Sequence, residues 1–241
     1  MIHRTPYAGP LYEQVSRRLK IYIRERGWQA GQALPSEVTL AQRFGVSLGT
    51  MRSALQRLED RGWLERKQGS GTRVTNVNDY YVRRFCRYQI EIDGAPAFPE
   101  YSADEISREV RKATADERRR LMLKEPRDDL LVVERYLTCK IGPIIRETVR
   151  LPLERFPGID KSGPLPIAIF TMLDTVFDVE TDRVHENIRP HIGCNVLEVA
   201  GVKNHEPLLE CNATAFDTQG TPHCLITQLV SLRSAECAIV R

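Results

Sequence analysis

The stretch LPSEVTLAQRFGVSLGTMRSALQRLEDRGWLERKQGSGTRV, Leu34 to Val74, decides how the chain is read. Ser36 is placed to cap a short helix over Val38, Leu40, Ala41 and Phe44; Gly45 turns the chain, and Ser47 caps a further helix with Met51, Ala54, Leu55 and Leu58 on one face. A serine oxygen satisfies the free N–H groups at a helix start, and apolar residues at three and four mark the buried stripe. Two short helices joined by a Gly-containing turn make a helix-turn-helix. In such a unit the first turns of the second helix, here Ser47, Leu48, Gly49, Thr50 and Arg52, enter the major groove, with Arg52 as the base-reading side chain. Trp63 to Lys67, the turn Gln68-Gly69-Ser70-Gly71 and Thr72 to Val74 read as a hairpin, a wing. Its glycines let backbone approach a phosphate or the minor groove, while Arg66, Lys67 and Arg73 supply counterion-releasing charge. On spacing alone the hairpin reads equally as a solvated one with incidental basic residues.

Upstream, Leu11, Val15, Leu19, Tyr22 and Ile23 recur as one helical face, and Gly27 ends that helix. Residues 1–75 hold 13 Lys/Arg against 6 Asp/Glu, whereas the remainder holds 22 against 26, so a basic amino-terminal part adjoins a mildly acidic one. That asymmetry is the footprint of a nucleic-acid module on a neutral partner. The 241-residue length suits two domains. No apolar run approaches the roughly 20 residues of a membrane span, and Met1 to Gly9 lacks a signal-peptide core, so a cytoplasmic protein is expected. The six cysteines occur singly and the five histidines lack ligand spacing; no metal or cofactor is expected.

The segment from Pro10 to Val74, through LYEQV and the stretch quoted above, resembles the DNA-binding domain of GntR-type regulators. The resemblance implies that Ser36, Ser47, Thr50, Arg52, Gln68, Gly69 and Gly71 occupy DNA-contacting positions. Two departures stand out: Val38 and Leu48 replace arginines common in the family. Each loss removes a contact worth about 1–3 kcal/mol where it reads a base, so a different preferred operator is expected, and Leu48 is suited to a thymine methyl.

After a polar linker, Asn76 to Tyr81, a second domain is expected over residues 82–241. Phe98 to Ile106 reads as extended, and Thr114 to Glu117 as a capping box opening a helix, while the similar Ser102 to Glu105 reads as coincidence. Between Leu130 and Leu151 two alternating segments flank Lys140-Ile141-Gly142-Pro143. Leu131, Val133, Arg135, Leu137 and Cys139 share one face, as do Ile145, Glu147, Val149 and Leu151, and a turn centred on Ile141 sets Arg135 opposite Glu147. Charges embedded in apolar faces are costly unless paired with each other or a ligand. The pair therefore reads either as a small-molecule site or as a buried ion pair fixing the strands.

This region, through VVERYLTCKIGPIIRETVRLPLERFPGI (Val132 to Ile159), resembles the UTRA ligand-sensing domain of HutC-like GntR regulators, a fold similar to chorismate lyase. The resemblance implies an effector site at Arg135 and Glu147. Leu137 replaces a second arginine, Phe170 an expected tyrosine, and Cys224 an expected acidic residue, which favours a smaller or more apolar carboxylate over a sugar phosphate. A helix over 167–177, a short one near 195–200, and a hairpin of 208–216 with 223–232 complete the expectation, with residues 233–241 frayed.

The expected whole is an α+β chain: a winged helix-turn-helix followed by a mixed α/β sensor domain. It is read as a homodimeric repressor that leaves a palindromic double-stranded operator when an effector binds. The alternative is a chorismate-lyase-like enzyme acting on a small carboxylate, for which no nucleophile, metal or acid–base pair is evident. A sequence-blind architectural DNA binder leaves the pocket residues unexplained.

Overall fold

A computed structural model describes residues 9–67, 71–75, 88–92, 95–97, 101–140, 144–192, 207–231 and 238–239. The chain divides into two compact units, Met1–Arg84 and Phe85–Arg241. The proposed linker, residues 76–81, lies outside the described residues, as do the short helix near 195–200, Gln68 and Gly69.

The first unit holds α1 (Leu11–Glu25), α2 (Glu37–Phe44), α3 (Leu48–Asp60) and a hairpin of β1 (Leu64–Lys67) with β2 (Gly71–Val74). Ser36 Oγ accepts from Thr39 N–H at 3.2 Å and Ser47 Oγ from Thr50 N–H at 3.1 Å, so both caps form where the sequence places them. Gly45 closes α2 at φ 66°, a left-handed conformation that costs glycine nothing. Val15, Leu19 and Ile23 of α1, Leu40 of α2, Met51, Leu55 and Leu58 of α3, and Trp63 form one buried cluster. Leu11 and Val38 do not join it: they are 54% and 53% exposed. Leu11 opens α1, and Val38 stands on the outer side of a two-turn helix whose inner side is filled by Leu40 and Ala41.

The second unit is built on a six-stranded sheet ordered β5-β6-β7-β10-β9-β8, antiparallel at every step. Its strands are β5 (Ser102–Lys112), β6 (Asp129–Thr138), β7 (Ile145–Pro152), β8 (Thr181–Ile192), β9 (Pro207–Asp217) and β10 (Pro222–Ser231). Between them lie α4 (Ala115–Leu121), a 3-10 turn (Ile159–Lys161) and α5 (Ile169–Phe177). A three-stranded sheet joins β11 (Ala238–Ile239), β3 (Tyr88–Ile92) and β4 (Ala95–Ala97). Pairing of Ala238 with Gln89 and Ile239 with Tyr88 corrects the expectation of a frayed end at these two positions.

Thr114 and Glu117 form the reciprocal capping box of α4, and Leu121 packs with Leu130, Val132 and Leu225 on one side of the sheet. Arg111 grips the Glu117 carboxylate with two bonds of 2.7 and 2.8 Å, and this grip, ahead of burial acting the other way, holds its pKa at about 2. The opposite side faces the segment around α5. Ser102 to Glu105 lies within a strand, and β5 runs six residues past Ile106, to Lys112. The strand β8 was not anticipated. It is an edge strand with alternating partial burial and carries Pro190, which an edge tolerates because no ladder N–H is lost. No helix among the described residues is long and apolar enough to cross a membrane.

Candidate functional site: a DNA-reading face and a buried charge pair

The first turn of α3 carries no acidic side chain, so beyond the Ser47 cap on the Thr50 N–H no carboxylate of that turn offsets its partial positive charge. Ser36, Ser47, Gly49 and Arg52 are exposed, and Leu48 and Thr50 half-buried. A Cβ on Gly49 would meet nothing closer than Ser47 Oγ at 3.9 Å, so packing inside the unit does not demand glycine there. Arg52 projects with 63% of its side chain exposed, and its Nε donates to Glu37 Oε2 at 2.7 Å. Arg66 meets Glu59 and Glu37 at 3.4 and 3.6 Å. Arg73 also has a local role: its Nη1 donates to the Gly31 carbonyl at 2.7 Å and ties β2 to the loop before α2. Lys67 ends β1, and Gly71 begins β2 at φ 76°, where a side chain would be strained.

In the second unit Arg135 pairs in register with Glu147, and registers of neighbouring strands extend that row to Glu105 on β5 and Gln228 on β10. Arg135 and Glu147 are both buried. Arg135 Nε and Nη2 lie 2.7 and 2.6 Å from Glu147 Oε2, and Gln228 donates to Glu147 Oε1 at 2.7 Å. Arg135 Nη1 donates to the carbonyls of Leu165 and Pro166 at 2.6 and 3.0 Å. The guanidinium thus ties the sheet to the segment entering α5. Arg108 fastens the same segment through the carbonyls of Ile159 and Gly163, and Glu105 accepts the Leu165 N–H. Burial works to raise the Glu105 carboxyl, but the bonds from Arg108 and Leu165, with the charges of Arg108 and Arg135, hold it below its ordinary value.

Cys224 is fully buried; burial, reinforced by Glu147, pushes its thiol far up, so it stays protonated. Phe170 is buried with its ring edge-on to His223, centroids 6.3 Å apart. His223 is the extra residue of a β-bulge between Pro222 and Cys224. Burial, then the charge of Arg155, presses its imidazole down to about 3 despite Asp217, so it is neutral; Nε2 meets Thr181 Oγ1 at 3.2 Å, and buried Nδ1 meets no hydrogen-bond partner among the described residues.

Of the four residues proposed for the sensor site, the fold joins Arg135 to Glu147 directly, while the Phe170 ring meets His223, the chain neighbour of Cys224. Sequence reasoning missed Glu105, Arg108, Gln228 and His223. Period-two alternation around Gln228 was a usable signal, since it shares its face with Ile226 and Val230; the backbone partners Leu165 and Pro166 leave no trace in side-chain pattern. Among the described residues no cluster of His, Cys, Asp or Glu is arranged to hold a metal ion.

Comparison with known proteins matches residues 11–74 to the model described as bacterial regulatory proteins, gntR family, and residues 100–229 to the UTRA domain. The chain is 24% identical over 222 residues to the HTH-type transcriptional regulator GmuR of Bacillus subtilis (strain 168), covering 88% of this chain and 90% of that one. It is 26% identical over 203 residues to the mannosyl-D-glycerate transport/metabolism system repressor MngR of Escherichia coli (strain K12), covering 83% of each. The crystal structure of YydK from Bacillus subtilis superposes with a TM-score of 0.53 at 19% identity, covering 97% of this chain and 99% of that one, a likeness of fold.

Proposed function

Because the chain belongs to the gntR family of bacterial regulatory proteins and carries a UTRA domain, it is a DNA-binding transcriptional regulator, and we propose that it is a homodimeric repressor released from a palindromic operator by a small effector. The DNA-contacting set is Ser36, Ser47, Leu48, Gly49, Thr50, Arg52, Arg66, Lys67, Gln68, Gly69 and Gly71. One observation carries this reading: a helix start free of acidic side chains, with an exposed arginine one turn further on, belongs to the same chain as a buried arginine–glutamate pair. The first suits base edges in the major groove, and the second suits a ligand whose binding is felt by the fold.

The effector site is Arg135 and Glu147 with Phe170 and Cys224 beside them, and the effector is a small carboxylate with apolar substituents. Arg135 already spends its N–H groups on Glu147, Leu165 and Pro166. An incoming carboxylate therefore displaces the two carbonyls, and its binding free energy is coupled to release of the segment that leads into α5. We read the site as one of binding rather than catalysis: Glu147, the carboxylate of the pair, is already engaged by both Arg135 and Gln228. A cytoplasmic location follows from a DNA target.

The experiment uses the full chain. Selection from a randomised duplex pool at physiological salt should yield two inverted half-sites about one helical turn apart. A thermal-shift screen of carboxylates, amino acids, sugars and sugar phosphates should then give a carboxylate that raises the melting temperature and dissociates the selected duplex. Binding of all duplexes alike would remove the reading.

A further inference from the structure

Glu37 is the first residue of α2, directly after the Ser36 cap, and its carboxylate is where three elements converge. Oε2 lies 2.7 Å from Arg52 Nε on α3, and Oε1 lies 3.6 Å from Arg66 Nη2 on β1. Arg66 is held a second time, its Nε 3.4 Å from Glu59 Oε2 and its backbone N–H donating to Glu59 Oε1 at 3.2 Å. Among the described residues, Glu37 is the carboxylate that Arg52 meets.

Which nitrogen of Arg52 is engaged matters. A guanidinium presents donors along two edges, and either can grip two acceptors side by side. Nε is spent on Glu37 while 63% of the side chain is exposed, which leaves the edge formed by Nη1 and Nη2 for another partner, and its parallel donors match the O6 and N7 acceptors of a guanine in the major groove. An arginine without that anchor rotates freely and meets any phosphate within reach, which adds affinity and no sequence information. The exposed pair contributes little to the fold and is open to exchange, so its consequence lies in orientation.

We propose that Glu37 is the positioning residue for base reading: it fixes which edge of Arg52 faces DNA, selects guanine at one operator position, and withholds the charges of Arg52 and Arg66 from indiscriminate phosphate contact. This rests on the DNA-reading face described above.

The test uses the full-length chain and the duplex obtained by selection, with each position substituted in turn, and a random duplex as the reference, over a range of salt. For Glu37→Gln the expected result is a roughly tenfold loss of preference at one guanine and unchanged discrimination elsewhere. Tighter binding of random duplex should accompany it, with a salt dependence steeper by about one counterion. Glu37→Asp, which keeps the charge but is one methylene short, should lose the same preference without gaining affinity for random duplex; it also decides the matter should Glu37→Gln fail to fold. Placed in an Arg52→Ala background, Glu37→Gln should leave that position unaffected. Equal strengthening of selected and random duplexes by Glu37→Gln, or full discrimination retained by Glu37→Asp, overturns the proposal. A wild-type chain that selects no sequence removes the DNA-reading face itself, a separate result.

Discussion

Arg135 and Glu147 stand directly opposite each other on adjacent antiparallel strands, with Arg135 Nε 2.7 Å from Glu147 Oε2 and both side chains buried. The guanidinium reaches beyond its partner to the carbonyls of Leu165 and Pro166, so one residue links two strands and the segment entering α5. An attraction inside a protein is offset by the hydration both charges give up, and the pair contributes more to arrangement than to net stability.

Breaking that pair on one side should be far worse than replacing it. Glu147→Gln leaves a buried guanidinium without its counter-charge and is expected to cost about 3–5 kcal/mol. The double replacement Arg135→Met with Glu147→Leu should recover much of the loss, although the Leu165 and Pro166 carbonyls then lose their donor. Urea unfolding midpoints of the single and double variants measure both. A single-variant cost under about 1 kcal/mol would contradict the burial described.

The imidazole of His223 predicts a pH dependence of known sign. Its pKa is about 3 in the folded chain against an ordinary 6.5, lowered first by burial and then by Arg155, with Asp217 opposing. Between those values the unfolded chain takes up a proton that the folded chain does not, so this contribution is fully present above pH 6.5 and is lost as pH falls toward 3. Stability should drop by up to about 1.4 kcal/mol per pH unit on this account. His223→Phe, set among Phe156 and Phe170, should remove that slope, which unfolding free energies at several pH values will reveal. Parallel curves for the two proteins would mean that the histidine is hydrated.

Two changes on the DNA-reading face should separate base reading from phosphate attraction. Arg52→Ala should cost about 1–3 kcal/mol on the selected duplex and relax discrimination at one position. Lys67→Ala should weaken every duplex alike and flatten the salt dependence by about one counterion. Fluorescence anisotropy on selected and random duplexes distinguishes them. Uniform weakening by Arg52→Ala would assign that side chain to phosphate.

Much of this architecture was legible in one dimension because its causes are local. Ser36, Ser47 and Thr114 cap helices through N–H groups three residues away, and Gly45 ends α2 through its own φ, so each signal lies within a few positions of the element it starts or stops. Even the meeting of Arg135 with Glu147 was readable, since a hairpin register follows from its turn and from side-chain alternation.

What lay beyond the sequence depends on neighbours distant along the chain. The edge strand β8 alternates charged and half-buried residues without a clean apolar face, and it is a strand because β9 completes its hydrogen bonds. Leu11 and Val38 are as apolar as their buried neighbours, yet among the described residues no facing element covers them. Glu105 and Arg108 find backbone partners more than fifty residues away, and Glu37 finds Arg52 and Arg66 on two other elements. Composition and periodicity determined that one unit is basic with the pattern of a helix-turn-helix and that Arg135 stands opposite Glu147 in the other. Only the tertiary structure decided what each charge holds, because a guanidinium's partner is chosen by distance in space, and a linear pattern does not encode it.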